Sequence, residues 1–187
     1  MIFNRTKIES VVLIELEEIE DSRGFFARAW CKEEFEENGL NSTLEQCNFA
    51  FNRKRGILRG LHYQAKPFEE AKLIRCIKGA IFDVVVDIRP NSATYKQHQA
   101  FNLIDTNRHA LYIPEGCAHG YQTLEDNSEV FYQMSRSYAP EYAKGLRWND
   151  PAFSIDWPIK NPIILERDEN YPDFISPTPS QLQYEKY

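Results

Sequence analysis

One run of residues limits the fold more than any other: Phe82 to Arg89, reading FDVVVDIR. Phe82, Val84, Val86 and Ile88 fall on one face of an extended chain, and Asp83, Val85, Asp87 and Arg89 on the other. A period of two sustained this long means β-strand. The run closes a longer stretch, Gly56 to Arg89, that opens with Arg59, Gly60, Leu61 and His62 and brings in Lys72. Lys78-Gly79, between two strand-like runs, reads as a hairpin turn. On this reading an arginine, a histidine and a lysine stand on or beside neighbouring strands of one sheet. Alternate side chains of a strand share a face, so such groups can converge inside a barrel and form the floor of an active site.

The rest of the chain repeats the pattern in short pieces. Val11 to Ile19 is strand-like, and Asp21-Ser22-Arg23-Gly24 is a loop before Phe25, Phe26 and Trp30. Lys32 to Asn38 reads as a short acidic helix stopped by Gly39. In Glu45 to Phe51, Gln46, Asn48 and Ala50 share one face and Cys47, Phe49 and Phe51 the other. Further strands are expected at Gln97 to Leu103, His109 to Ile113 and Glu129 to Met134, with Pro114 to Tyr121 as a tight turn that delivers His119. Ala139 to Lys144 is a helical turn at most. Many short strands with regular turn signals favour an all-β sandwich or barrel over parallel βαβ units. The expected organisation is one domain over residues 1–175, followed by a Pro/Ser/Gln-rich tail, 176–187, either mobile or docked on a partner subunit.

Charge and cysteines exclude several function classes. Lys plus Arg is 22 and Asp plus Glu is 28, a net charge of −6, which argues against a general nucleic-acid or membrane-surface protein while leaving room for a local basic pocket. Cys31, Cys47, Cys76 and Cys117 lack metal-type or disulfide-type spacing and read as reduced core thiols of a cytoplasmic protein. The start, MIFNRTKIES, lacks a signal-peptide pattern, and no apolar run is long enough to span a bilayer.

Taken singly, a strand histidine is structural and a strand cation is surface charge. Arg59, His62 and Lys72 together look like a site for an anionic ligand such as phosphate. Gly-x5-His at Gly56 to His62 and Pro-x-Gly-x2-His at Pro114 to His119 suggest a cupin-type jelly roll, a barrel that often holds a metal. Metal cupins carry His-x-His, but here the companion of His62 is Gln64. Glu69 or Glu70 could still ligate, yet two histidines without the third make a poor divalent site. The expectation is therefore no metal, with His62 free to act as a base.

At this point the sequence resembles the dTDP-4-dehydrorhamnose 3,5-epimerase family. The pieces that carry the resemblance are DSRGFF (21–26), EQCN (45–48), GILRGLHYQ (56–64), EAKLIRCIKG (70–79), FDVVVDIR (82–89), YIPEGCAHGYQTL (112–124), EVFYQ (129–133), WNDPAF (148–153) and ERD (166–168). The resemblance implies a cofactor-free jelly-roll homodimer acting on a nucleotide-diphospho sugar. It implies His62 as general base, Asp168 as the carboxylate that orients it, Tyr132 as the facing acid and Lys72 as the cation near a developing enolate. Arg23, Gln46, Asn48, Arg59 and His119 match positions that hold the nucleotide diphosphate or the sugar, and Arg167 lies in the ERD motif.

There are departures. Arg28 stands where the family commonly has an acid, as does Ala143 in the loop from Tyr138 to Gly145. The usual Ser-Glu-Lys-Asp is Leu165-Glu166-Arg167-Asp168, and the Asn52 to Arg55 connection is longer by one residue. These changes leave the nucleotide, the sugar and the choice of C3, C5 or both open, including a mono-epimerase for a GDP-, CDP- or UDP-linked sugar. The rival readings are a nucleotide-sugar 3,4-ketoisomerase, a non-catalytic nucleotide-sugar-binding cupin and a metal-dependent cupin oxygenase.

Overall fold

A computed structural model describes residues 1–176, so all but the first residue of the expected C-terminal tail lies outside the described residues. Along the chain come β1 (Ile2–Arg5), β2 (Val12–Glu15), β3 (Ile19–Asp21), β4 (Gly24–Phe26), helix α1 (Lys32–Glu37), β5 (Gln46–Asn52), β6 (Ile57–Gln64), β7 (Lys72–Lys78) and β8 (Ala80–Asp87). Then follow β9 (His98–Ile104), β10 (Ala110–Ile113), β11 (Cys117–Thr123), β12 (Ser128–Met134), a single 3-10 turn at Pro140–Tyr142, β13 (Ala143–Gly145), β14 (Ile163–Ile164) and helix α2 (Glu166–Glu169). The main strands form two facing sheets, in the orders β1-β2-β10-β7-β12-β5 and β13-β6-β11-β8-β9, with β14 added in parallel to β6 and β3-β4 as a separate hairpin. The all-β class and the cupin-type jelly-roll architecture stand as the sequence suggests.

Three apolar layers explain why the strands alternate as they do. Ile74, Leu111, Ile113 and Val130 from one sheet meet Ile81, Val85, Leu103 and Tyr121 from the other. The outer face of the second sheet packs Leu58, Val84 and Val86 under Leu146, Phe153 and Trp157 of the C-terminal loops. The outer face of the first packs Val12, Ile14, Leu73 and Tyr112 under Phe35 of α1. β8 therefore has both faces covered, one by the inter-sheet core and one by the loops. Its polar inner positions, Asp83 and Asp87, are fully buried.

Several expectations need correction. The turn at Lys78-Gly79 is real, but β7 and β8 do not pair; they lie in opposite sheets, so the turn is a corner between sheets. Lys72 consequently stands on the sheet facing Arg59 and His62. The Val11 to Ile19 run breaks after Glu15, where the pairings of β2 with β1 and β10 end. The turn before His119 covers only Pro114 to Gly116, and Cys117 onward is a central strand paired on both sides by β6 and β8. Cys76 and Cys117 are buried, but Cys47 is exposed on the outer side of edge strand β5 and Cys31 is half-buried, so only two of the four thiols belong to the core. α1 runs where expected, with Gly39 just past its end.

Candidate active site

The site begins with an irregularity in β6. Arg59 and His62 are three residues apart, and regular alternation would send them to opposite faces. Across the strand, His62 pairs with His119 and Arg59 with Tyr121, so three steps on β6 match two on β11. The extra residue is a β-bulge, and it turns both side chains into the space between the sheets. Two glycines permit it. Gly60 has φ +128°, and a Cβ there would lie 2.5 Å from the Gly120 Cα, while one on Gly120 would lie 2.8 Å from the Arg59 carbonyl. The bulge also supplies a donor, since the Gly60 N–H reaches Asp168 Oδ2 at 3.2 Å.

Asp168, on α2, is buried at 1% exposure and sits against His62 Nε2 at 2.9 Å. Arg167 donates from Nε to Asp168 Oδ1 at 3.0 Å and brings Nη2 to 3.3 Å from the same His62 nitrogen. A guanidinium can only donate, so Nε2 cannot serve both neighbours at once. Beside an ionised carboxylate Nε2 carries the proton, which leaves the lone pair on Nδ1. Burial alone would raise the Asp168 carboxyl, but hydrogen bonds from His62, the Gly60 amide and Arg167 hold it below the ordinary carboxylate value. Burial also pushes the His62 imidazole down, outweighing the upward pull of Asp168, and Lys72 and Arg167 add to the lowering. At neutral pH the pair is thus an anionic Asp168 and a neutral His62.

The facing sheet supplies the other wall. Tyr132 of β12 and Lys72 of β7 line the same cleft of about 450 Å³ as Arg59, His62, His119 and Asp168. Burial, reinforced by the charge of Glu70 and opposed by Arg59, raises the Tyr132 phenol, so it remains protonated. Lys72 Nζ pairs with Glu70 Oε1 at 2.9 Å. Arg59 donates from Nε to Asn52 Oδ1 at 2.9 Å, and His119 Nε2 lies 2.7 Å from Asp83 Oδ2. A second lobe of about 330 Å³ shares His62, Lys72, Tyr132 and Arg167 and adds Gln46, Asn48, Ala143 and Tyr171. Nine of the eleven expected side chains, His62, Tyr132, Asp168, Lys72, Gln46, Asn48, Arg59, His119 and Arg167, line one or both lobes.

Arg23 and Arg28 do not join them within this chain. Arg23 sits at the tip of the β3–β4 hairpin, paired with Asp21, and Arg28 is exposed and paired with Glu34. Three contributors escaped the sequence reading. Gln64, weighed only as a failed metal ligand, accepts the Ala139 N–H at 2.6 Å and donates to the Phe68 carbonyl at 2.9 Å. Gln46 accepts the Tyr138 N–H at 3.0 Å, so the two glutamines hold Tyr138 at the cleft. Tyr171 stands edge-on to His62 with ring centres 6.2 Å apart and lies so close over Gly145 that a Cβ there would meet its ring at 2.1 Å. Tyr138 opens the family loop that runs to Gly145 but carried no expected role there, and Tyr171 sits in no distinctive pattern. Among the described residues no three His, Cys, Asp or Glu side chains gather as a metal site, and no helix is long and apolar enough to cross a membrane.

Comparison with known proteins matches residues 5–176 to a family described as dTDP-4-dehydrorhamnose 3,5-epimerase. A protein of that name from Methanothermobacter thermautotrophicus is 43% identical over 173 residues, 90% of this chain and 92% of the relative. The crystal structure of the Elizabethkingia anophelis protein of the same name superposes with a TM-score of 0.91 at 35% identity, covering 93% of this chain and 96% of that one. A 3'-monoepimerase from Streptomyces bikiniensis, in complex with dTDP-quinovose, superposes with a TM-score of 0.84 at 29% identity, covering 96% and 95%.

Proposed function

The chain belongs to the dTDP-4-dehydrorhamnose 3,5-epimerase family, and from that premise we propose that it inverts C3, C5 or both of a nucleotide-linked 4-keto-6-deoxy sugar by proton transfer alone. The observation that carries the reading is the pair of walls: a neutral His62 backed by Asp168 on one side and a protonated Tyr132 on the other. A 4-keto group acidifies the hydrogens on both flanking carbons. His62 Nδ1 takes one of them, and the electron pair moves onto O4 as an enolate. The Lys72 ammonium stabilises that charge. Tyr132 then returns a proton to the same carbon from the opposite face, which inverts it, and exchange with solvent restores both side chains. Asp168 keeps the imidazole in the required tautomer and supports its protonated form.

Arg59 and His119 at one end of the cleft suit a nucleotide diphosphate, and Gln46 and Asn48 suit the sugar hydroxyls. The reading extends to a homodimer. The β3–β4 hairpin exposes Ile19, Phe25 and Phe26, and the outer face of β5 exposes Phe49 and Phe51, more apolar surface than a free monomer normally leaves wet. A second copy covering these faces would bring the hairpin arginine, Arg23, and Arg28 to its own cleft. Four free cysteines fit work in the reducing cytoplasm.

The test is to incubate the protein with dTDP-4-keto-6-deoxyglucose in deuterated water and follow the sugar by NMR. Deuterium at C3 and C5 with inversion at both supports the bi-epimerase. Label and inversion at one carbon support the mono-epimerase, the second reading, which the likeness to the Streptomyces bikiniensis 3'-monoepimerase favours. Tight binding without label would leave only a binding protein.

A further inference from the structure

Three of the basic side chains that line the cleft are each backed by a different buried carboxylate. His62 has Asp168 at 2.9 Å, His119 has Asp83 at 2.7 Å, and Lys72 has Glu70 at 2.9 Å. The third pair is built like the first two: the Lys72 side chain is 12% exposed and that of Glu70 only 4%. Glu70 stands two residues before Lys72, in the segment leading into β7, and lines the second lobe of the cleft beside it. Its Oε2 is buried and has no hydrogen-bond partner among the described residues, so Oε1 and Lys72 carry the whole pairing.

We propose that Glu70 is a positioning residue for the epimerase reaction: its carboxylate fixes the Lys72 ammonium on the wall shared with Tyr132, where the enolate oxygen develops. The role rests on the epimerase reading above. A lysine ends in a point charge on a flexible four-carbon stem, and charge stabilisation of a transition state works only if the charge is already in place. A buried carboxylate with one free oxygen and one ammonium partner is a strong anchor for that stem. A purely scaffolding carboxylate ties loops together, as Asp87 does with Arg89, Ser92 and Thr94, whereas the Glu70 carboxylate bonds Lys72. The charge of Glu70 is also felt at the Tyr132 phenol, which places carboxylate, ammonium and phenol in one cluster.

The experiment is a double-mutant cycle on turnover with the same substrate, using Glu70→Gln, Lys72→Met and the double variant. If Glu70 acts through Lys72, Glu70→Gln lowers kcat by about tenfold or more while KM changes little, and adding it to Lys72→Met costs nothing further. Tyrosine-labelled NMR supplies a reading that needs no substrate. The charged and titratable groups that share the cleft with the Tyr132 phenol are Glu70 and Lys72, Arg59 and His62 from β6, His119 and Tyr121 from β11, Arg167 and Asp168 from α2, and the loop tyrosines Tyr138 and Tyr171; removing the Glu70 charge should move the phenol titration down. Should Glu70→Gln fail to fold, Glu70→Asp, which draws the charge back by one methylene, replaces it with the same expected directions in kcat. Wild-type kcat in the Glu70 variant, or an equal loss from Glu70→Gln with and without Lys72, overturns the proposal. An unmutated protein that neither exchanges nor inverts would remove the reaction and this role together, whereas an active one with an indifferent Glu70 removes the role alone.

Discussion

At the scale of single residues the proposed chemistry turns on one nitrogen. His62 Nε2 donates to Asp168 and is approached by Arg167, which leaves the lone pair of the neutral imidazole on Nδ1. Burial first, then the cations Lys72 and Arg167, keep its pKa below the ordinary 6.5 despite Asp168. The neutral form is the active one, so kcat/KM should stay flat through neutral pH and fall on an acid limb below 6.5. The Tyr132 phenol must keep its proton, and its raised pKa puts the alkaline limb above 10. Replacing Arg167 with Met removes a positive charge from the imidazole, so the acid limb should move to higher pH. A pH–rate profile of both proteins checks the two limbs, and an acid limb that stayed fixed in Arg167→Met would show that the guanidinium does not act on His62.

At the scale of elements, the bulge in β6 decides the site. An alanine at Gly60 would force a Cβ to 2.5 Å from Gly120 in a backbone conformation that side chains rarely adopt. Gly60→Ala should therefore destabilise the protein by about 2 kcal/mol or more and lose activity beyond that, because Arg59 and His62 can no longer share a face. Urea melts beside turnover at saturating substrate separate the two effects. This element also marks how far the sequence could be read. The alternation of Phe82 to Arg89 and of Gln46 to Phe51 was legible because polar side chains keep to one face of each strand, Asp83 and Asp87 on β8 and Gln46 and Asn48 on β5. Which sheet each strand joins was not, since the Lys78-Gly79 turn looks the same whether it closes a hairpin or rounds a corner between sheets. Nor did the motif around His62 reveal the bulge, which depends on the approach of Gly120, sixty residues away in the chain. His62, Lys72 and Tyr132 were named from the sequence and the fold gathers them in one cleft, but Tyr171 and the glutamine clamps on Tyr138 exist only through tertiary contacts.

At the scale of the whole molecule, the two sheets bring His62 and Tyr132 to opposite sides of one space, and Arg23 on its hairpin does not line it. If a second copy receives that hairpin, mixing two defective proteins should restore activity. Arg23→Ala keeps its own His62 and Asp168, and Asp168→Asn keeps a good hairpin, so a mixed dimer regains one complete site. Random exchange of subunits should then recover about a quarter of wild-type turnover from two nearly inactive parents. No recovery after exchange, verified by sedimentation of the dimer, would confine each site to one chain. The arrangement of the walls themselves is tested most directly by Tyr132→Phe in deuterated water, with solvent exchange at the sugar and formation of the inverted product measured in the same NMR tube. With His62 intact and the facing phenol gone, protons should still leave and return on one face, so exchange continues while inversion falls by about a hundredfold. Loss of exchange and inversion in equal measure would contradict a base and an acid acting from opposite sheets.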